Sequence, residues 1–325
     1  MKNGIFTISL DFELFWGVRD NPNIVSYKKN ILEVRNIVPK LLNLFDEFEV
    51  HVTWATVGFL FCENNEELNA NLPKLKPTYD NIHFSPYNYI KESSVLDPNY
   101  HFGPNLIKKI KTFPYQEIGS HSYSHYYCQE PGQTINQFED DVKAAVYIAK
   151  KSDIKLKSYV FARNQLNPQY LKVLKKYGFT SYRGNESKWF YNKNKKSNNT
   201  IIARMFRGID HYINVTGHNT YSLKECKNGK DLYKIPSSQF LRINNGNFAI
   251  LNELKLKRVK NSMKYAAIND RLFHLWWHPH NFGNDIEYNM DFLRKILSYY
   301  NVLKDKYNFQ SLNMGEISKK INIIA

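Results

Sequence analysis

Hydrophobic and polar positions along the chain form short apolar runs separated by stretches with helical spacing. Residues 5–10, 50–55 and 272–277 are apolar runs rich in β-forming residues, which indicates buried strands. Residues 32–48 carry apolar side chains at helical spacing, and we expect that helix to begin near Pro39, because proline suits a first helical turn. The alternation of strands and helices predicts a parallel α/β protein.

The remaining predicted elements continue this alternation. Further strands are expected just before His121 and at residues 159–161, 179–182 and 309–312, and further helices at residues 105–113, after Thr134, and at residues 168–178 and 285–306. Residues 64–104 and 190–250 fit neither pattern and are too long for ordinary loops. We interpret them as insertions in a single domain that spans residues 1–325.

Residues that carry chemistry follow the predicted strands directly. They are Asp11, Glu13, His121, His125, Arg163 and His278. In a (β/α) barrel the active site is built at the carboxyl ends of several strands. We therefore expect these side chains to meet at one site.

The types of these residues indicate metal-assisted hydrolysis. His121 and His125 lie four positions apart, so that a helical turn or tight loop would point both the same way, and neutral imidazole is a common zinc ligand. Taken alone, the pair could equally be two surface or hydrogen-bonded histidines. With one carboxylate from Asp11 or Glu13 it makes a three-ligand site with a position left for water. The other carboxylate and a separate histidine then supply a base and an acid.

Composition narrows the class of protein. The chain has 325 residues, 42% of them hydrophobic, and no run of the ~18 apolar residues that a membrane span needs. It shows no signal peptide, and its three scattered cysteines are typical of reduced thiols, so we expect a cytoplasmic protein. The net charge of +15 is spread over dispersed lysines without a nucleic-acid-binding module, so we expect no nucleic acid partner and allow for an anionic substrate.

The order of the motifs resembles the polysaccharide deacetylase (NodB-homology) family, also called carbohydrate esterase family four. Residues 7–13 stand where that family has a strand ending in two acids, and residues 121–125, His-Ser-Tyr-Ser-His, match its His-Ser/Thr-x-x-His motif. Arg163 resembles the start of its third motif, and residues 275–278 resemble its last motif, an apolar strand ending in histidine. The resemblance implies a distorted (β/α) barrel that removes N-acetyl groups from amino sugars with one divalent metal, zinc above all, with cobalt or nickel as alternatives.

By that resemblance each residue acquires a role. Asp11 is the expected base, with Arg163 holding it ionised, and His278 is the expected acid. The expected metal ligands are Glu13, His121 and His125. The first motif is Asp-x-Glu, as in the Asp-x-acid variant of some cytoplasmic members, so which of the two carboxylates binds metal stays open. His280 competes with His278 for the role of acid.

Four residues are expected to contact the sugar: Asn164, Gln165, Trp277 and His280. Asn164 and Gln165 follow Arg163 where the family has Arg-x-Pro-Tyr, so substrate contacts there are expected to differ. Trp276 and Trp277 alternate along a strand, which places one in the core and leaves the other for the site.

The predicted function is removal of an N-acyl, chiefly N-acetyl, group from an amino sugar that is either monomeric or linked to a nucleotide or a lipid, for O-antigen or capsule biosynthesis. There are two alternative hypotheses: a metal-free relic of the deacetylase fold that only binds glycan, and a barrel glycosidase. The glycosidase would need both carboxylates to flank the scissile bond and would leave the histidines without a role. A bound divalent ion separates the enzyme from the relic.

Overall fold

The computed structural model describes residues 3–21, 24–93, 95–186, 217–227, 231–242 and 249–324, together with Tyr212 and Asn214. The strands are β1 (Ile5–Phe12), β2 (Val52–Thr56), β3 (Gln116–Ser120), β4 (Ser158–Tyr159), β5 (Ser181–Gly184), β6 (Tyr233–Pro236), β7 (Gln239–Phe240), β8 (Leu272–Trp277) and β9 (Gln310–Ser311). The helices are α1 (Ile24–Glu47), α2 (Asn65–Ala70), α3 (Pro86–Glu92), α4 (Pro98–His101), α5 (Pro104–Thr112), α6 (Ile135–Lys151), α7 (Leu171–Lys176), α8 (Leu223–Cys226), α9 (Ala249–Ile268), α10 (Ile286–Tyr307) and α11 (Met314–Ile324).

The named strands form one parallel sheet that curls into a barrel. The strand order is β6-β5-β4-β3-β2-β1-β8-β7, and β9 adds to β1. The two ends of the sheet meet through residues 233–240, because β6 pairs with β5 while β7 pairs with β8. Between them, the N–H of Ser237 bonds the carbonyl of Gly184 and the N–H of Ser238 bonds the carbonyl of His274, each at 2.8 Å. The predicted distorted (β/α) barrel is confirmed.

Polar side chains fill much of the barrel interior. Near the amino ends of the strands, the partly buried carboxylate of Glu117 accepts hydrogen bonds from Thr53 at 2.7 Å, from Ser158 at 2.6 Å and from the N–H of Gly315 at 3.0 Å. Burial outweighs these bonds and raises the pKa of Glu117 above its ordinary value. A barrel of this kind more often encloses branched aliphatic residues. In this barrel the interior also contains hydrogen-bonded polar side chains, and further buried polar residues lie toward the carboxyl ends of the strands, such as Ser9, His274 and Arg183.

Helix α1 begins earlier than the sequence predicts. It runs from Ile24 to Glu47 with Pro39 inside it, so the expected start near Pro39 is wrong. An interior proline lacks one N–H and costs a helix about 3 kcal/mol. The face that contains Val34, Val38 and Leu42 is fully buried against the barrel. Burial of several such side chains at about 1.5–3 kcal/mol each outweighs that cost.

The first expected insertion, residues 64–104, contains short helices and packs on the turn that follows β1. The indole Nε1 of Trp16 donates to the carbonyl of His101 at 2.8 Å, and the ring of Phe15 lies 4.8 Å from that of His101. The second expected insertion, residues 190–250, lies largely outside the described residues. Helix α9 was not predicted, because its buried face includes polar residues such as Lys255 and Arg258.

Within the described ranges, no helix combines the length and the apolar character that crossing a membrane requires. Cys62, Cys128 and Cys226 are all buried free thiols, as expected.

Candidate metal centre and active site

The carboxyl ends of neighbouring strands place the predicted site residues together. Glu13 follows β1 and His121 follows β3, with β2 between the two strands. His278 follows β8, which lies on the other side of β1. Asp11 occupies the second-last position of β1 and is 3% exposed. The structure therefore brings Asp11, Glu13, His121 and His278 together at this edge of the barrel.

Glu13, His121 and His125 form a compact buried cluster with metal-ligand geometry. One carboxylate oxygen of Glu13, Oε2, lies 3.3 Å from Nε2 of His121 and 3.1 Å from Nε2 of His125. One candidate ligand atom from each residue lies within 4.8 Å of the others. Two imidazole nitrogens and one carboxylate oxygen are a donor set that suits zinc. The residues present therefore fit a divalent ion.

The surroundings of His121 direct its Nε2 toward the cluster, as a metal ligand requires. Nδ1 of His121 bonds the carbonyl of Val160 at 2.9 Å, so Nδ1 carries the hydrogen and Nε2 turns its lone pair to the cluster. Burial lowers the pKa of His125, although Glu13 works in the opposite direction. Burial would raise the pKa of Glu13, but His278, His121 and His125 outweigh it and hold that pKa well below its ordinary value.

The loop that carries the two histidines is fastened by Asp141 on α6. Its carboxylate accepts hydrogen bonds from the N–H of Tyr123 at 2.7 Å, from the N–H of Ser124 at 3.1 Å and from the Ser124 hydroxyl. Ser122 and His125 both have left-handed backbone angles, with φ of 64° and 57°. Such angles are costly for residues other than glycine, so the side-chain bonds to Asp141 stabilise a turn that the backbone alone does not favour.

Arg183, and not Arg163, holds Asp11. Nη1 of Arg183 donates to Oδ1 of Asp11 at 2.6 Å, and Nη2 donates to Oδ2 at 2.7 Å. Burial would raise the pKa of Asp11, but the Arg183 guanidinium and His121 outweigh it and lower that pKa. Arg163 instead bonds Asp20 at 2.5 Å and lies over the ring of Tyr127 at 4.3 Å. The expectation for Arg163 is therefore wrong: Arg163 lies beyond the end of β4, in a turn where its backbone is left-handed with φ of 52°, and its side chain bonds Asp20.

His278 faces both carboxylates from the opposite side of the cluster. Its Nε2 lies 3.7 Å from Oδ2 of Asp11 and 3.6 Å from Oε1 of Glu13. Its Nδ1 lies 3.2 Å from Oδ1 of Asn281, which already accepts the backbone N–H of His278 at 3.2 Å. Nδ1 is therefore the donor to Asn281, and a proton gained at Nε2 would face the carboxylates.

His280 lies behind His278 and not in the open site. The two rings stack with their centroids 5.0 Å apart, and His280 is only 3% exposed. Burial and the neighbouring His278 lower the pKa of His280 to about 3. A proton carrier would need a higher pKa and access to the substrate. The expected sugar contact of His280 is not supported by this position.

The other expected sugar contacts are also placed differently. Trp277 is fully buried against Phe45 and Phe282, whereas Trp276 is half-buried and its ring lies 4.2 Å from the guanidinium carbon of Arg183. The choice of Trp277 is therefore wrong, because Trp276 pairs with Ser9 in the sheet and shares its inward face, whereas alternation turns Trp277 to the other face.

Asn164 and Gln165 form internal hydrogen bonds. Oδ1 of Asn164 accepts from Nη2 of Arg183 at 2.9 Å, so Asn164 supports the site instead of lining it. Nε2 of Gln165 donates to Glu130 at 2.6 Å, and Oε1 of Gln165 accepts the N–H of Gln129 at 3.1 Å. Both side chains are therefore engaged within the protein.

The sequence reasoning missed Arg183, Trp276 and Asp141. One signal for Arg183 was available, since an arginine inside a short predicted strand requires a buried partner, and Asp11 is a carboxylate in an equivalent position. Asp141 lies on the buried face of an amphipathic helix, where a carboxylate also requires partners. Nothing in the sequence gives the pairing itself, because it depends on how strands distant in the chain face one another.

The barrel and its buried Glu-His-His cluster define an α/β-barrel protein with a candidate metal site at the carboxyl edge of the sheet. A sequence model described as polysaccharide deacetylase matches residues 27–182, a region that includes His121 and His125. The match covers just under half of the chain, and over those residues the sequence is similar to the polysaccharide deacetylase family, as its motifs predict. Asp11, Glu13, Arg183 and His278 lie outside the matched region. No significant match was found among proteins of curated function.

Solved structures share the fold over nearly the whole chain. A protein from Mycobacterium smegmatis, provisionally assigned as a polysaccharide deacetylase, is 13% identical with a TM-score of 0.61, covering 100% of this chain and 92% of its own. PuuE allantoinase is 12% identical with a TM-score of 0.56, covering 98% and 90%. A second provisionally assigned polysaccharide deacetylase, from Pseudomonas aeruginosa PAO1, is 12% identical with a TM-score of 0.55, covering 98% and 91%. At these identities the likeness establishes the fold alone.

Proposed function

We propose that this protein is a metal-dependent hydrolase that removes an N-acyl group, chiefly N-acetyl, from an amino sugar. The observation that carries the proposal is that three candidate metal ligands and a candidate acid and base lie together at one edge of the barrel. Glu13, His121 and His125 supply three ligand atoms, and Asp11 and His278 approach the same point from two further positions. The match of residues 27–182 to the polysaccharide deacetylase model supports an amino sugar as the substrate.

The metal would be held by Glu13, His121 and His125, and zinc suits two nitrogens and one oxygen best, with cobalt and nickel as alternatives. When bound, it would acidify water and polarise the carbonyl of the acyl group. Glu13 is preferred to Asp11 as the ligand because one of its oxygens lies close to both histidine Nε2 atoms. Both carboxylate oxygens of Asp11 already accept hydrogen bonds from Arg183.

Asp11 would take the proton from the attacking water. Arg183 keeps this carboxylate ionised and fixes its direction, since a bidentate guanidinium restricts rotation of the carboxylate. Oδ2 of Asp11 also lies 3.7 Å from Nε2 of His278, so base and acid approach one reacting centre. Because the Asp11 side chain is only 4% exposed, its electrostatic interactions with Arg183 and with His278 are screened little by water.

His278 would give a proton to the amine as the carbon–nitrogen bond breaks. An amide nitrogen leaves poorly without a proton, so the reaction needs an acid on that side. The His278 side chain is 24% exposed, whereas those of Glu13 and Asp11 are each 4% exposed. It is therefore the member of the group that a substrate entering from solvent would meet first.

The pKa shifts of the two carboxylates favour a metal-dependent hydrolase over a glycosidase. Such an enzyme needs one carboxyl group with a raised pKa to serve as the acid. Neighbouring charges instead lower the pKa of both Asp11 and Glu13. A relic that only binds glycan is the remaining alternative, and metal content together with turnover separates it from the enzyme.

The test is release of acetate or another acyl group from N-acylated sugars by the purified full-length protein. The panel should include free, nucleotide-linked and lipid-linked amino sugars, with metal content measured on the same sample. We expect about one divalent ion per chain and turnover that a chelator abolishes. Asp11→Asn is the matched control, because it should keep the metal and lose turnover. A metal-free protein that binds the sugars without hydrolysing them would instead establish the relic. A cytoplasmic location and a role in O-antigen or capsule synthesis stay predictions.

A further inference from the structure

We propose that Ser9 and His274, buried inside the barrel beneath the active site, are positioning residues that fix Arg183 and, through it, the base Asp11. The inference rests on the proposed hydrolase function, because Asp11 acts as a base only in that reaction. Neither Ser9 nor His274 approaches the reacting atoms, so each would act only through the residue above it.

A continuous chain of hydrogen bonds connects these residues. Nη1 of Arg183 lies 3.0 Å from Oγ of Ser9, and the same Oγ lies 2.8 Å from Nε2 of His274. Nδ1 of His274 lies 3.2 Å from the carbonyl oxygen of Pro236. Ser9 and His274 are both fully buried. These hydrogen bonds connect β1, β5 and β8, and their last acceptor lies on β6.

The direction of every bond in this chain is determined by its two ends. A carbonyl oxygen only accepts, so Nδ1 of His274 must carry the hydrogen that points to Pro236. Nε2 of His274 is then a lone pair, and the Ser9 hydroxyl must donate to it. That leaves a lone pair on Oγ of Ser9 for the N–H of Arg183, which can only donate. One arrangement of protons satisfies all four groups.

His274 must stay neutral for this arrangement to persist. A second proton on Nε2 would face the Ser9 hydroxyl and would add a positive charge beneath the Arg183 guanidinium. Burial, and secondarily Arg183 itself, lower the pKa of His274 to about 3, although the carbonyls near Pro236 and the charge of Asp11 work in the opposite direction. The imidazole therefore keeps one tautomer over the working pH range of most enzymes.

The chain completes the restraints on the Arg183 guanidinium. Asp11 holds it from above, Asn164 accepts from Nη2 at 2.9 Å, and Trp276 covers one face at 4.2 Å. Ser9 is the contact that holds Nη1 from below. Without it, Asp11 would be the one acceptor left to Nη1 among the described residues, and the pair could shift together relative to His278. A displacement of about 1 Å at a reacting group can cost up to about 100-fold in rate.

Thr7 provides a matched control for Ser9. It lies two positions earlier on β1, on the same face of the strand, and is also fully buried. Its hydroxyl has no hydrogen-bond partner among the described residues. Ser9→Ala and Thr7→Ala therefore both remove a buried hydroxyl from one strand, but only the first breaks the chain to Arg183.

The first experiment measures the tautomer of His274 by ¹⁵N NMR in the full-length protein, which requires no activity. We expect a neutral ring with its hydrogen on Nδ1. In Ser9→Ala we expect the Nε2 resonance to move, because its donor is lost. A hydrogen on Nε2, or an imidazolium near neutral pH, would overturn the inference and leave the proposed function standing.

The second experiment compares kcat, KM and metal content in the two variants. We expect Ser9→Ala to lower kcat by about 10-fold to 100-fold with KM and metal content unchanged, and Thr7→Ala to change kcat by less than about 2-fold. Equal kcat values in folded, metal-loaded variants would overturn the positioning role. A wild-type protein that hydrolyses no N-acylated sugar would overturn the proposed function, and the inference with it, whatever the NMR result.

Discussion

Gly17 lies directly against the carboxylate of Glu13. A β-carbon at position 17 would lie 1.9 Å from Cδ of Glu13 and 2.0 Å from its Oε1. No real side chain tolerates such a distance, so Gly17→Ala must displace the Glu13 carboxylate from the cluster. We expect metal affinity to fall by about 10-fold to 100-fold, comparable to the loss of a group that orients a ligand. Metal titration of the purified variant measures this.

Gly103→Ala is the control for that substitution. A β-carbon there would meet Phe12 and Leu14 at 3.5 Å and 3.7 Å, which are ordinary contacts. It lies close to the same turn but does not contact a candidate ligand. We expect its metal affinity to match the wild type. Equal affinities in both glycine variants would show that Glu13 does not coordinate the ion.

The two carboxylates are expected to respond differently to substitution. Glu13→Gln should weaken metal binding, and His121→Ala or His125→Ala should abolish metal retention, because each removes one of three ligand atoms. Asp11→Asn should keep the metal and lose turnover. Metal content and kcat, measured on the same samples, distinguish these outcomes. The reverse result for Asp11 and Glu13 would exchange their roles.

Asp141 should control the stability of the histidine loop. Its carboxylate accepts the backbone N–H groups of both Tyr123 and Ser124, and an amide offers only one acceptor oxygen. We expect Asp141→Asn to lower the free energy of unfolding by about 1–3 kcal/mol, the cost of an unsatisfied buried group. Metal affinity should fall with it, since the loop carries two ligands.

Asp140→Asn tests whether the effect belongs to position 141. Asp140 accepts the N–H of Leu75 at 2.9 Å on the outer side of the same helix. Urea unfolding of both variants, with and without metal, compares the two positions. We expect little change for Asp140→Asn. A similar loss of stability in both variants would mean that the helix, and not the loop contact, is responsible.

The sequence predicts the parts of the site that lie near one another along the chain. Asp11 and Glu13 follow one apolar run, and His121 and His125 follow another, so local pattern together with the barrel rule places them correctly. Arg183 could not be assigned in this way. Its contact with Asp11 joins β5 to β1, and that distance is set by closure of the barrel through residues 233–240.

The wrong element boundaries have equally physical causes. Pro39 predicts a helix start by local propensity, but tertiary burial of α1 overrides that preference. The pair Trp276 and Trp277 shows the limit of period-two patterns, because alternation separates the two faces without saying which is the interior. Only the register of β8 against β1 decides that question, since Ser9 lies opposite Trp276.

Arg183 and Arg163 form a matched pair for testing which guanidinium serves the base. Arg183→Ala removes both bonds to Asp11 and leaves a buried carboxylate without its partner. We expect kcat to fall by about 100-fold or more, with a loss of stability of about 3–5 kcal/mol, typical of breaking a buried ion pair. Arg163→Ala removes a contact between a side chain that is 36% exposed and Asp20, whose side chain is 2% exposed. Because this pair includes neither Asp11 nor a candidate ligand, we expect a change in kcat of less than about 10-fold. If Arg163→Ala lowered kcat more than Arg183→Ala does, Arg163 and not Arg183 would be the arginine that serves the base.

The last prediction concerns His278 and the departure of the amine. Collapse of the tetrahedral species at an amide needs a proton on nitrogen, whereas the alkoxide of an activated ester leaves without one. Nε2 of His278 faces Asp11 and Glu13, and Asn281 orients the ring through Nδ1. His278→Ala should therefore lower amide hydrolysis by about 10²–10⁴-fold. It should retain its metal, because His278 is not part of the three-residue cluster. Much of any activity on an activated acetate ester should also remain.

The measurement is kcat on both substrates, with His280→Ala as the neighbouring control. Equal losses on amide and ester, or an amide rate within a few-fold of wild type, would remove His278 as the proton donor.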